Sequence, residues 1–390
     1  MRILVVNYEY PPIGGGGGFV TRDFAEAWVK AGHEVTVVTS RYHYLLSREN
    51  VEGVNVVRVP VLMRNREQTA SHMSMLSYVP SAISRCLVDR NFRNFDVINT
   101  HFAVPSGPVG HYLAKQLNLP NVLSIHGGDI FDPSKSLSPH KTPLLRSTVR
   151  AMLKKADRVV AQSTDTFSNA HTYYHPDRAI DIIPLGIKKP VFDTKTRCEL
   201  GLSDEDSILC TIGRLVKRKN LTALLDAISL LEQKDRLKLL IIGDGPERKN
   251  LEDRIAGLKL QDQVIFCGAV DDERKFQLLE CADLYVSTAL HEGFGLVFVE
   301  AMECGLPVVC FNRGGQTDFL TNGKTGYLVD LGDVDSFSKR LAEMRDDSVI
   351  RAEMSRFCRS YVENFYIETC AARYIDLFRE LIDMQGSEDR

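Results

Sequence analysis

At 390 residues the chain exceeds what one hydrophobic core usually supports, so two domains are expected. Its 44% hydrophobic and 25% charged residues are ordinary for a water-soluble globular protein, and a formal net charge of -3 argues against nucleic acid as a partner. The nine cysteines form no C-x-x-C pair and read as small buried hydrophobes; Met1–Val6 is too short for a signal sequence and no apolar run could span a membrane, so a cytoplasmic location is expected.

Arg2 to Asn7 reads as a buried strand, followed by Tyr8-Glu9-Tyr10-Pro11-Pro12-Ile13 and the five glycines Gly14–Gly18. A helix with Val20, Phe24, Ala27, Trp28 and Ala31 on one face ends at Gly32-His33, and Glu34 to Thr39 is a second strand. This is the opening β-α-β unit of a doubly wound sheet. The glycines, Gly16 and Gly17 among them, suit backbone amides approaching a phosphate, although five in a row also carry a large ordering entropy. A dinucleotide fingerprint would place its glycines directly after the strand and an acidic residue at the end of strand two. Here six residues intervene and strand two ends Thr39-Ser40-Arg41, which disfavours a nicotinamide cofactor.

Val51 to Val61 alternates enough for strands. The stretch 73–93 sets Met73, Met75, Leu76, Tyr78 and Val79 among basic residues, with Arg64, Arg66, Arg85, Arg90 and Arg93 in and around it. Such a stretch is compatible with peripheral contact at the inner membrane surface, but a helix with one core-facing side is the expectation. Asp96 to His101 is a strand, and Asn121 to Ile125 is another that delivers His126 to its carboxyl end, where open α/β sheets place ligands. Gly127, Gly128 and Asp129 follow. Asp181 to Ile187 closes the first domain and begins the linker.

The pattern restarts with the strand Ile208 to Gly213 and the basic loop Arg214-Leu-Val-Lys217-Arg218-Lys219, a place where a diphosphate would need neutralising. Leu237 to Ile242 is the next strand; its turn Gly243-Asp244-Gly245-Pro246 reads as a tight turn with Pro at the start of a helix, not as a metal carboxylate. Val264 to Val270 is a further strand. After the strand Asp283 to Thr288 come the turn His291-Glu292-Gly293-Phe294-Gly295 and a helix from Leu296 that carries Glu300. The glycines let the backbone approach a ligand, with unpaired N–H groups of the helix available to an anion. A glutamate on each side of such a turn suits hydroxyls on both sides of a diphosphate, as in a nucleotide sugar. The tail from Asp335 to Met384 reads as helical.

Glu292 and Glu300 stand at E-x7-E spacing inside Gly-Phe-Gly and Ala-Met-x-x-Gly-Leu-Pro-Val, and with His126-Gly-Gly-Asp129 and Gly213-Arg-Leu-Val-x-x-Lys219 the chain resembles the family 4 retaining glycosyltransferases (glycosyl transferases group 1). The resemblance implies the α/β GT-B fold, two Rossmann-like doubly wound domains facing across a cleft. Residues 1–187 would be the acceptor-side domain, with a C-terminal helix 366–384 packing back on it, and 188–365 the nucleotide-sugar domain. It implies a hexosyl transfer from a UDP- or GDP-sugar to a glycan or lipid-linked acceptor, as in envelope polysaccharide or glycolipid synthesis, with no metal or other cofactor. By the same resemblance His126 would contact the transferred sugar, Asp129 support its loop, and Arg214 and Lys219 hold the diphosphate, leaving Lys217 and Arg218 as bystanders. Gly268 and Val270 would meet the base, Phe294, Gly295 and Leu296 the diphosphate, Glu292 the donor sugar and Glu300 the ribose, with Gly16 and Gly17 near the donor. Asp318 stands where the family more often has glutamate, and Glu303 where a small residue is usual. A nucleotide-sugar epimerase of the same fold would need acid/base carboxylates at the sugar ring, and a non-catalytic sugar-nucleotide-binding protein would need a broken residue set.

Overall fold

A computed structural model gives the fold; it describes the chain except Arg66, Gln68, Thr69, 134–136 and 389–390, and excludes the side chains of Ser387 and Glu388. Arg66 of the basic stretch thus lies outside the described residues. The chain divides into one unit of Met1–Lys188 with Phe365–Arg390 and a second of Lys189–Asn364.

The first unit holds β1 (Arg2–Val6), β2 (Glu34–Ser40), β3 (Arg48–Val51), β4 (Val54–Val59), β5 (Val97–His101), β6 (Asn121–Ile125), β7 (Arg158–Ala161) and β8 (Ile180–Ile182). They form one sheet in the order β3-β4-β2-β1-β5-β6-β7-β8. Every named pairing is parallel except β3 with β4. Strands β5 and β6 are buried along their whole length, which is why they read as short continuous runs without alternation. The strand order reverses at β1, whose Val6 lies level with Val38 of β2 and Thr100 of β5. The loops after β1 and β5 therefore open at one sheet edge, the place where doubly wound sheets take ligands.

Helix His72–Val88 starts at a Ser71 capping box and buries Ser74, Tyr78, Ala82 and Cys86, four residues apart along one face. Met73, Leu76, Leu87 and Val88 are exposed. The core-facing reading of this stretch therefore describes its inner face, and Pro80 sits inside the helix. Arg90 lies past its end, in the short 3-10 turn Arg90–Phe92. The C-terminal helix Ile367–Glu388 belongs to the first unit because its aromatic face closes on Trp28: Tyr374 and Phe378 pack at 5.8 and 5.5 Å, and Trp28 Nε1 donates to the Ala371 carbonyl at 3.2 Å.

The second unit holds β9 (Ser207–Ile212), β10 (Leu237–Ile242), β11 (Val264–Gly268), β12 (Leu284–Ser287), β13 (Val308–Phe311) and β14 (Gly326–Val329) in the order β11-β10-β9-β12-β13-β14. Its core gathers the inward faces of these strands with helices Leu221–Ser229 and Val334–Asp346, through Leu224, Leu225, Ile228, Phe337 and Leu341. Here the order reverses between β9 and β12, where Cys210 lies level with Tyr285. The basic loop leaves β9 and the glutamate turn leaves β12, so residues about seventy positions apart meet at one edge. Pro246 falls before the helix Arg248–Leu258, not at its first position, and Asp244 Oδ1 accepts the N–H of Gly245 as a tight turn requires.

Candidate active site

In the first unit the glycine run is only partly loop. Helix Gly16–Lys30 begins inside it, so Gly16 and Gly17 are its first two residues, and the N-cap Gly15 offers no side chain to the first-turn amides. Glu9, which sequence reasoning passed over, braces the run by accepting the Gly15 N–H at 3.1 Å. A Cβ at Gly17 would collide with the ring of Phe102. Phe102 in turn lies 4.6 Å from the His126 ring.

His126 sits one residue past β6 and does not stand alone. Its Nε2 lies 2.9 Å from Nδ1 of the fully buried His101, the last residue of β5, and the two rings stack at 5.1 Å. Two neutral imidazoles can share one hydrogen bond only if one donates and the other accepts. Burial lowers both pKa values, His126 to about 4 despite the opposing Gln162 hydrogen bond and His101 well below its ordinary range with a further contribution from His126, so the pair is uncharged at neutral pH. His126 Nδ1 and His101 Nε2 are buried without a hydrogen-bond partner among the described residues. The His126 carbonyl accepts from Gln162 at 2.7 Å. Asp129 works on the loop itself: it accepts the His126 N–H at 2.9 Å and the Ala103 N–H at 2.7 Å, tying the ends of β5 and β6 together.

In the second unit the cations are not disposed as their sequence order suggests. Glu292 is buried and its carboxylate is divided between Lys219 at 2.6 Å and Arg218 at 3.0 Å. Burial alone would raise its pKa, but the Lys219 and Arg218 charges outweigh it and hold the carboxyl down to about 2. Arg218, expected to be a bystander to the diphosphate, also donates to the His291 carbonyl at 2.6 Å, and the short 3-10 turn Lys217–Lys219 carries it to the glutamate turn. Arg214 is exposed and makes no hydrogen bond or ion pair among the described residues. Gly213 leaves room for the Lys219 side chain: a Cβ there would come within 2.8 Å of its ammonium nitrogen, at a φ of +148.

Gly295, at φ +92, is the N-cap of helix Leu296–Glu303, whose first amides have no side-chain cap, and Phe294 is buried 5.0 Å from Phe319. Glu300 lies mid-helix and half-buried, paired at 2.8 Å with Lys275 of helix Asp272–Glu280. Burial opposes the charge on Lys275, but Glu300 and Asp272 outweigh it and raise its pKa, so Lys275 is charged at neutral pH. Lys275 was not singled out in the sequence, and its only signal there is a lysine among helix residues near the end of β11. Gly268, at φ +71, accepts the Gly243 N–H at 2.7 Å, and Val270 follows half-buried in the same turn. The structure thus gathers Lys219, Arg218 and Glu292 at one end of the turn and Glu300 with Lys275 beyond it, while His126 and Asp129 sit with His101 and Phe102 in the other unit.

Two family models match the chain: Glycosyltransferase Family 4 over residues 14–189 and Glycosyl transferases group 1 over residues 192–361. The N-acetyl-alpha-D-glucosaminyl L-malate synthase of Bacillus anthracis is 27% identical, with 98% of each chain covered. Among solved structures, sucrose-phosphate synthase of Thermosynechococcus elongatus superposes with a TM-score of 0.85 at 22% identity, covering 98% of this chain and 100% of that one. Anabaena HepE in complex with UDP superposes with a TM-score of 0.79 at 20% identity, over 98% and 100%.

Proposed function

From the premise that this chain belongs to glycosyltransferase family 4 and is a glycosyltransferase of the GT-B fold, we propose that it moves a hexosyl unit from a UDP- or GDP-sugar to a glycan or lipid-linked acceptor. The observation that carries this reading is the buried Glu292 held by Lys219 and Arg218 beside a glycine turn, with Glu300 eight residues on. The UDP held by HepE, a protein of the same fold, supports a uridine nucleotide as the first donor to test.

In this reading Arg214, without a side-chain partner among the described residues, and Lys219 receive the diphosphate, helped by the amides of Phe294, Gly295 and Leu296 at the uncapped helix start. Lys219 is then shared between the donor and Glu292, which orients it and accepts donor-sugar hydroxyls. Glu300, steadied by Lys275, accepts the ribose hydroxyls, and the turn of Gly268 and Val270 faces the base. His126 meets the transferred sugar through the buried Nδ1, the ring nitrogen that His101 leaves unoccupied.

The bond from the anomeric carbon to the diphosphate oxygen breaks, stabilised by the cations as negative charge grows on the leaving group. The acceptor oxygen bonds to that carbon from the same face, and its proton passes to the departing phosphate oxygen, so configuration is retained. Neither a metal nor a carboxylate nucleophile takes part in this scheme. Melting temperature measured against a panel of nucleoside diphosphates and their sugars tests it, because ligand that binds only the folded state raises stability by mass action. Stabilisation by none of them, or a covalent glycosyl-enzyme detected with a slow donor, rules the scheme out.

A further inference from the structure

Where helix Pro143–Lys155 begins, the first unit has a polar cavity. Its volume is about 360 Å³, at the small end of ligand sites, and it is lined by His140, Lys141, Pro143, Arg146, Ser147 and Arg150. No carboxylate stands in this wall. Three permanent cations surround one cavity in a chain whose net charge is -3, so overall basicity does not explain them.

Arg146 and Arg150 are four residues apart on one helix face, where like charges repel. Their Nε atoms have a structural use: they donate to the carbonyls of Tyr173 and Tyr174 at 3.0 Å each, in the last turn of helix Thr164–Tyr174, where cations are favoured. That accounts for one nitrogen of each guanidinium. The terminal nitrogens of both make no hydrogen bond or ion pair among the described residues. His140 is fixed by a 2.8 Å contact with Ser138 and by packing on Phe131 at 4.6 Å, and the carboxylate acting on it is Asp132. Two guanidinium groups pinned at Nε, with their terminal nitrogens unengaged, suit a group with several anionic oxygens.

We propose that this cavity binds a phosphate group carried by the sugar acceptor, with Arg146 and Arg150 donating to its oxygens through their terminal nitrogens and Lys141 adding charge. Glycosyl transfer as proposed above is the premise for calling the phosphate's carrier an acceptor; the binding of phosphate is independent of it. Two carriers share this chemistry, a soluble phosphorylated sugar or polyol and the headgroup of a lipid-linked acceptor, and the test separates them.

The full chain is titrated calorimetrically with inorganic phosphate and with glycerol 3-phosphate, with and without saturating UDP to occupy the donor site. The wild type is expected to bind both phosphates in the presence of UDP, and R146Q/R150Q to bind them at least about tenfold more weakly, with UDP affinity unchanged. Should that variant fold poorly for want of its Nε bonds, Ser147→Glu, at an exposed lining residue whose side chain makes no hydrogen bond among the described residues, is expected to give the same loss by placing a carboxylate in the cavity. Equal phosphate binding by wild type and Ser147→Glu overturns the proposal. In a second arm, co-sedimentation with phosphatidylcholine vesicles containing phosphatidylglycerol, abolished by Ser147→Glu, supports the lipid headgroup; phosphate binding without co-sedimentation supports a soluble acceptor. Failure of UDP to bind while phosphate binding persists counts against the donor reading alone.

Discussion

The candidate site residues of the two units solve opposite electrostatic problems. In the first unit the central pair, His101 and His126, is buried and uncharged, and the Asp129 carboxylate beside it accepts two backbone N–H groups. In the second unit every central side chain is ionic and paired, Glu292 with Lys219 and Arg218 and Glu300 with Lys275. A neutral site suits hydroxyls and a carbon that becomes positive for a moment. A charged one suits a diphosphate, provided the cations are kept from collapsing onto the carboxylates without release. Arg214 escapes that pairing: it is exposed and makes no hydrogen bond or ion pair among the described residues.

The largest effect is expected on the charged side. Lys219→Ala should weaken nucleoside diphosphate binding by about 100-fold or more and cost about 2 kcal/mol of stability, because Glu292 is left buried with Arg218 alone. Calorimetry and thermal denaturation read the two parts. Unchanged nucleotide affinity would show that the ion pair is structural only.

On the neutral side Asp129→Ala is expected to cost on the order of 2 kcal/mol or more, since two backbone N–H groups lose their acceptor, while nucleotide affinity stays within about twofold. The comparison is sharpest if glycosyl transfer collapses in this variant and binding of the leaving nucleotide does not.

Acid should undo the two halves in sequence. An unfolded imidazole takes a proton near pH 6.5, whereas folded His126 resists until about 4, so stability from the histidine pair is whole above 6.5 and is lost as pH falls through that window. Glu292 contributes stability above about 4.5 and loses it only toward pH 2. Denaturation followed against pH should therefore show a first loss, on the order of 1 to 3 kcal/mol, that His126→Gln flattens and Glu292→Gln leaves in place.

The smallest expected effect is at Lys275. Lys275→Met should weaken nucleotide binding by about fivefold and reduce the preference for ribose over 2′-deoxyribose nucleotides, and Lys275→Arg should restore both. If the wild type has no such preference, Glu300 does not read the ribose.

Much of this molecule was legible without coordinates, because strands buried on both faces, glycine turns and helix starts are local patterns. Strands β9 to β12, the E-x7-E turn and the helical tail were read from such patterns. The glycine run was read less well: a loop was expected, and the helix takes Gly16–Gly18, since the first turn of a helix needs no side chains when Phe102 fills the space beside it. Which of four clustered cations would serve the glutamate was not legible. Lys219 and Arg218 lie 73 and 74 residues from Glu292, and only the placing of β9 beside β12 brings them within reach.

The sequence by itself determined that the chain builds two doubly wound sheets and that Glu292, His126 and the basic loop stand just past strand ends, the edge at which such sheets take ligands, since a turn's position follows from the strands that bound it. The tertiary structure alone decided that His101 shares a hydrogen bond with His126, that Arg218 joins Lys219 on Glu292, that Lys275 holds Glu300, and that Arg146 and Arg150 are pinned by the carbonyls of Tyr173 and Tyr174. Those pairings depend on strand order and side-chain direction, which bring together residues far apart in the chain and which no local pattern encodes.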